Sequence, residues 1–229
     1  MVPPLDPELA AASPFSPARL CSLFVDALHV SGASISVFGR DGQQSTICAT
    51  DAIASRGEAL QFELGEGPHW DALATGSPVL SADISTGLDQ RWPIFAAAAH
   101  QIGMGAVFAF PMKLGAASVG AVDLYCVNAR WLDPHQISLA SSMANRAAAS
   151  AAQHAMKSAE APGSAEHEMA PALRREVHQA TGMVQAQLDL SATDAFARLR
   201  AHSFTTNQPL DRVAHEVVSR QLDFSTLND

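Results

Sequence analysis

Residues 172–222, ALRREVHQATGMVQAQLDLSATDAFARLRAHSFTTNQPLDRVAHEVVSRQL, read as three short helices with polar faces rich in arginine and glutamine. In the first, Leu173, Val177, Ala180, Val184 and Leu188 recur at spacings of four, three, four and four, which places them on one stripe of a 3.6-residue helix. Asp189 and Leu190 break that pattern. Ser191 is a cap for the second helix, with Asp194 three residues on, where a carboxylate meets free backbone N–H groups and the positive end of the helix dipole. The second stripe is Ala192, Ala195, Phe196 and Leu199. Thr205, Thr206 and Asn207 end that helix, Pro209 suits the first turn of a third, and Leu210, Val213, Ala214, Val217 and Val218 form its stripe. Three stripes of this size close one small core. Gly182 stands inside the first helix at a cost of about 1 kcal/mol relative to alanine, and close packing of a neighbouring helix is the expected reason.

Ala180-Thr181-Gly182-Met183 in the first helix, Ala195-Phe196 with Leu199-Arg200 in the second and Val213-Ala214 in the third together resemble the ANTAR domain. That domain is the RNA-binding output module of transcription antitermination regulators. Two positions depart from it: Thr181 stands where many members carry lysine, and Ser203 where alanine is common. The resemblance implies an RNA hairpin, a terminator or antiterminator, as partner. The polar residues expected to contact it are Arg174, Arg175, Gln179, Arg198, Arg200, His202, Thr205, Asn207 and Arg212. Arg198 and Thr205, seven apart, share a helix face, whereas Arg198 and Arg200, two apart, do not. Sequence-specific recognition of RNA concentrates on phosphates and unstacked loop bases, which such side chains can reach.

Upstream, residues 158–170 (SAEAPGSAEHEMA) carry Pro, Gly, Ser and acids with no apolar period, the composition of a flexible linker. Before it the period changes repeatedly. A helix is expected from Ser16 on the stripe Leu20, Leu23, Phe24, Ala27, Leu28. A hairpin follows, 32–38 with 44–50 around Arg40-Asp41-Gly42. Helices are expected over 51–62, 68–74 and 91–102, with a short strand over 78–82. A second hairpin, 104–111 with 118–126, is apolar on both faces and so belongs inside a covered sheet. Asp133 caps and Pro134 begins a long alanine-rich helix through about Lys157. Two hairpins surrounded by helices make an α+β domain on an antiparallel sheet.

Within it, Gly65-Glu66-Gly67-Pro68, Trp70-Asp71-Ala72-Leu73, Gly76-Ser77-Pro78-Val79, Arg91-Trp92-Pro93 and Gly120-Ala121-Val122-Asp123-Leu124-Tyr125 resemble, in order and spacing, a GAF domain. The expected division is a disordered lead over 1–14, a GAF sensor over 15–157, a linker over 158–170 and an all-α, three-helix ANTAR domain over 171–224. A small-molecule ligand between the sheet and its helices is implied by the resemblance. Phe62, His69, Trp70, Trp92, Phe95 and Met104 are the expected pocket lining, since such pockets are mainly apolar with few polar groups. The asparagine-lysine and phenylalanine-aspartate-glutamate residues of cyclic-nucleotide binders and a bilin-attachment cysteine context are absent.

No Ser-His-Asp set, paired carboxylates or metal-ligand spacing stands out, so neither a catalytic group, a metal nor a cofactor is expected. Gly65-x-Gly67 is a tight turn, because no Lys-Ser/Thr follows it. Cys21, Cys48 and Cys126 are widely separated and odd in number, and all three are expected as small buried hydrophobes. The longest apolar run, Gly103 to Met112, is too short to span a bilayer. With no export signal in the first residues, a cytoplasmic location away from membranes is expected.

The net charge of −9 argues against nucleic-acid binding over the whole surface. Residues 1–150 hold seven Lys+Arg against thirteen Asp+Glu, a net of −6, while residues 171–222 hold six Arg against five acids, a net of +1. Affinity for RNA must come from local placement and shape.

The reading is a signal-responsive antitermination regulator, not an enzyme. It is expected as a homodimer through the stripe of helix 16–30 and the small-residue face of helix 134–157. Two alternatives remain. A DNA-binding factor with a helix-turn-helix output needs a recognition helix with base-reading residues near its N-terminus, and Asp211 and Glu216 on the third helix make a poor DNA face. A methionine-sulfoxide-reductase-like enzyme needs neighbouring cysteines, of which the sequence offers no local pair.

Overall fold

The computed structural model describes residues 17–38, 44–85, 91–160, 170–206 and 208–227, with side chains except at 17–18, 155–160, 170–175 and 193. The lead over 1–14, the Arg40-Asp41-Gly42 turn and linker residues 161–169 lie outside these. One antiparallel sheet, in the order β2-β1-β5-β4-β3, is built from β1 (Gly32–Phe38), β2 (Gln44–Ala49), β3 (Val79–Ser81), β4 (Ala106–Leu114) and β5 (Ala117–Cys126). Both sequence hairpins are present, and the central strand β5 joins them.

Alternation along the strands divides the molecule into layers. Ala33, Ile35 and Val37 of β1, Phe108, Phe110 and Met112 of β4, and Val122, Leu124 and Cys126 of β5 pack against α1 (Pro17–Leu28) and α5 (Pro134–Glu160). On the opposite face Val107, Ala109 and Tyr125 meet α2 (Ala52–Leu64), α3 (Pro68–Thr75) and α4 (Pro93–Gln101). Ser34 and Ser36 of β1 are also buried, on alternate positions to its apolar residues. The helix ends follow their capping residues. Asp51 Oδ1 accepts from the Ala54 amide at 2.8 Å, and Asp133 and Gln136 exchange hydrogen bonds as a capping box at 2.8 and 3.1 Å. α5 runs three residues past its expected end.

The C-terminal part is three helices, α6 (Ala170–Leu188), α7 (Ala192–Thr206) and α8 (Leu210–Val218). Val177, Ala180 and Val184 meet Ala195 and Leu199 and then Leu210, Val213, Ala214 and Val217, all buried. Ser191 Oγ accepts from the Asp194 amide at 3.1 Å and caps α7 as expected. Pro209 is the N-cap of α8, one position earlier than the first-turn place expected of it.

Three expectations change. Cys21 and Cys48 form a disulfide, because α1 packs over β1 and β2 and brings two Cα atoms 27 residues apart to 6.1 Å. Cys126 alone is a free buried thiol among the three. The small-residue face of α5, Ala140, Ala144, Ala147, Ala148 and Ala151, is consumed inside the chain against the sheet and the α1 stripe, so it offers no dimer contact. Gly182 is exposed and a Cβ there would meet nothing within 4 Å among the described residues, so packing of a described helix does not explain it.

Candidate functional site

Two features stand out, and α2 lies between them. The first is a small cavity of about 20 Å³, room for about one water, between the sheet and α2, α3 and α4. Its polar wall is made by Ser34, Glu58, Gln61, Asp123 and Tyr125, its apolar wall chiefly by Phe95, Met104 and Val107. Glu58 is only 2% exposed; Oε1 accepts from Gln44 Nε2 at 2.6 Å and Oε2 from the Thr46 hydroxyl at 3.3 Å. The amide of Gln44 also donates to Ser36 Oγ at 3.0 Å, so a polar network runs from β2 across β1 to α2.

Asp123 lies 2.7 Å from His69 Nδ1 through Oδ2, while its Oδ1 and the Nε2 of His69 are buried with no hydrogen-bond partner among the described residues. Buried polar atoms are rarely left this way, and each marks a place where a partner is wanted. Tyr125 donates to Asp51 Oδ1 at 3.2 Å. Burial, then the charge and hydrogen bond of Asp51, push the phenol up to about 12, which keeps it a neutral donor.

Of the six pocket residues expected from sequence, Phe95 and Met104 line this cavity and four do not. His69 stands beneath it on Asp123, with its amide donating to Gln61 Oε1 at 2.8 Å. Trp92 is buried, its indole donating to Asp71 Oδ2 at 3.0 Å. Phe62 and Trp70 face the other way, towards the C-terminal helices. Glu58, Gln61, Asp123 and Tyr125 escaped the sequence reading. A signal existed for two of them: a carboxylate and the chain's one tyrosine inside the otherwise apolar strand GAVDLYC.

The second feature is the surface of α6, α7 and α8. Gln179, Arg198, Thr205 and Arg212 are exposed. Arg198 borders a groove with Leu188, Leu190, Asp194, Ala197 and Ala201, and Arg212 reaches Glu216 at 3.3 Å along its own helix. The Thr205 hydroxyl donates to the His202 carbonyl at 3.1 Å, and the His202 ring stands edge-on to Phe224 at 5.3 Å. Arg174 and Arg175, as side chains, and Asn207 lie outside the described residues. Thr181 is buried and donates to the Val177 carbonyl at 2.7 Å, so the departure from lysine there falls inside the bundle.

Arg200 is separated from the other arginines. Its guanidinium lies 4.9 Å over the Phe196 ring and against Gly65, the left-handed C-cap of α2 with φ 64°, where any Cβ would run into it. Burial lowers its pKa from the ordinary value, and its Nε finds no hydrogen-bond partner among the described residues. Phe62 of α2, 6% exposed, belongs to the core of the C-terminal helices. It contacts the Phe196 ring at 5.0 Å and the His178 ring edge-on at 6.0 Å, while His178 Nε2 lies 3.4 Å from the Gln44 carbonyl.

Among the described residues no group of three or more His, Cys, Asp or Glu could hold a metal ion, and no helix is long and apolar enough to cross a membrane. The sequence matches the family model of the GAF domain over residues 16–150 and that of the ANTAR domain over residues 165–218. Its fold is similar to the GAF domain/HD domain protein from Geobacter sulfurreducens, at 14% identity over 60% of this chain and 90% of that one, with a TM-score of 0.47. It is also similar to the GAF domain of Acinetobacter phosphoenolpyruvate-protein phosphotransferase, at 12% identity over 69% and 92% of the two chains, TM-score 0.46. The type II free methionine-R-sulfoxide reductase from Thermoplasma acidophilum is similar at 11% identity over 60% and 96%, TM-score 0.42. No curated protein matches the sequence. The first family model spans more than half of the chain: this protein belongs to the GAF domain family and carries an ANTAR domain after it, which at family level is a regulator pairing signal sensing with RNA-binding antitermination.

Proposed function

We propose that the chain is a non-enzymatic, homodimeric regulator in which residues 15–157 sense a small molecule and residues 171–224 bind an RNA hairpin, favouring read-through of a terminator. The orphaned Asp123 Oδ1 beside Glu58 and Tyr125 supports the sensing part, since it would accept a donor from a bound molecule, for which the cavity of about 20 Å³ must widen. The observation that carries the RNA part is Gly182. A solvent-facing glycine in the middle of α6 costs about 1 kcal/mol relative to alanine, and no contact among the described residues asks for it. An external backbone approaching α6 beside Gln179 does ask for it.

Gly182→Ala therefore separates stability from binding. The variant is expected to unfold about 1 kcal/mol harder in denaturant, by helix propensity alone. It is also expected to bind a pool of structured RNA hairpins several-fold more weakly than the parent. Unchanged hairpin binding would remove the glycine argument, and preference of either protein for duplex DNA in a parallel titration would replace RNA by DNA as the partner.

α8 does not favour the DNA reading, because Arg212 is held by Glu216 and His215 lies 2.8 Å from Glu176. The structure does bring two cysteines together, yet Cys21 and Cys48 are 0% and 2% exposed on the α1 side of the sheet, and no cysteine lines the cavity. A thiol enzyme acting in that cavity gains no support from them.

A further inference from the structure

α2 presents two faces to two different neighbours. Glu58 and Gln61 form part of the cavity wall, and the next residue, Phe62, enters the core of α6, α7 and α8. What Phe62 covers there is one stripe of α7. Phe196, Arg200 and Phe204 follow one another at spacings of four, so they share a face. Phe196 is partly buried beneath Phe62, and Arg200 stacks on Phe196 with its guanidinium laid on the backbone of Gly65. Phe204, the third member, is 73% exposed.

An aromatic ring, a planar cation and a second aromatic ring in line make a platform for unpaired nucleobases. Every base has a π face that stacks on phenylalanine, and a guanidinium both stacks and donates to base edges and phosphates. The Nε of Arg200 is a buried donor with no acceptor, and Phe204 is a large apolar surface left in water, so neither has its needs met among the described residues.

We propose that Phe196, Arg200 and Phe204 are the base-stacking surface of the RNA-binding domain, and that the end of α2 covers the first two, so that α2 and RNA compete for them. The inference rests on the RNA-hairpin reading and adds to it the binding surface and its control. Because Phe62 adjoins Gln61, a molecule entering the cavity acts on the same helix that holds the platform shut.

The test is the affinity of the full chain for hairpin RNAs enriched from a pool with randomised loops, measured for the parent, Phe62→Ala, and Phe62→Ala combined with Arg200→Ala or Phe204→Ala. Phe62→Ala is expected to bind about tenfold tighter or more, and each second substitution to weaken that binding by about tenfold, the range of one lost base stack. Equal affinity of the parent and Phe62→Ala would overturn the competition. Binding that ignores Arg200→Ala and Phe204→Ala but is lost with Arg198→Ala would place the surface elsewhere and leave the RNA reading standing. Absence of hairpin binding by every protein would overturn both. A Phe204→Ala loss accompanied by a change from dimer to monomer in sedimentation would make Phe204 a contact between copies and overturn its stacking role.

Phe62→Ala opens a core, so amide exchange on the unaltered protein gives an independent reading. Saturating enriched hairpin is expected to speed exchange at 60–66 and slow it at 196–204. Slower exchange at both, as for RNA bound across an intact contact, would contradict the inference.

Discussion

Tyr125 is the chain's one tyrosine, so absorbance of tyrosinate near 295 nm reports on it alone. Its folded pKa is raised to about 12 from an unfolded value of about 10. A raised pKa means that the folded state holds the proton more tightly. The stabilisation is therefore fully present below about pH 10 and is lost as pH climbs towards 12. A spectrophotometric titration is expected to show one inflection well above that of free tyrosine, falling back towards 10 in Asp51→Asn, which removes the carboxylate. An ordinary inflection in the parent would mean that the cavity wall at β5 is open to water. At this scale the site was only partly legible. Phe95 and Met104 could be chosen as wall residues because ligand pockets are mainly apolar. Glu58 and Gln61 could not, because a polar helix residue reads as solvated until the fold shows what lies beneath it. The reverse held for Phe62, whose hydrophobicity said that it is buried but not against what.

Periodicity is the strongest signal at the scale of elements, and α6, α7 and α8 follow their stripes almost residue by residue. What periodicity does not carry is the partner of each stripe. The apolar face of α1 and the alanine face of α5 read equally well as dimer surfaces; the alanine face meets the sheet and α1 within one chain, while of the α1 stripe Phe24 and Leu28 are buried and Leu23 and Ala27 stay exposed. The disulfide escaped for the same reason: Cys21 and Cys48 become neighbours only once α1 lies across β2. A homodimer must accordingly avoid the alanine face of α5, and Leu23 of the α1 stripe, Val127 and Trp131, exposed by 48%, 52% and 78%, are apolar residues open to a partner. Sedimentation at micromolar concentration is expected to give a dimer, and Trp131→Ser to raise its dissociation constant about tenfold or more, in the range of a truncated aromatic anchor. A monomeric parent, or a Trp131→Ser dimer of equal strength, would contradict that placement.

For the whole molecule, domain order was legible because each part carries several motifs in sequence order, and the two matches at 16–150 and 165–218 agree with it. How the parts touch was not, since a contact such as Phe62 with Phe196, 134 residues away, leaves no local pattern. The uneven charge, a net of −6 over residues 1–150 against +1 over 171–222, means that the acidic part sits against a nearly neutral RNA-binding part. Binding must then depend on stacking and placement more than on counterion release: six arginines, each neutralising one phosphate, give a log–log salt slope no steeper than about −4 on single-stranded RNA.

The most direct measurement is transcription in vitro through a template whose terminator overlaps a hairpin enriched on this protein, with and without the protein. Full-length transcript is expected to rise with protein concentration, and Gly182→Ala to blunt the rise. Termination that is unchanged or increased when the hairpin is saturated would contradict it.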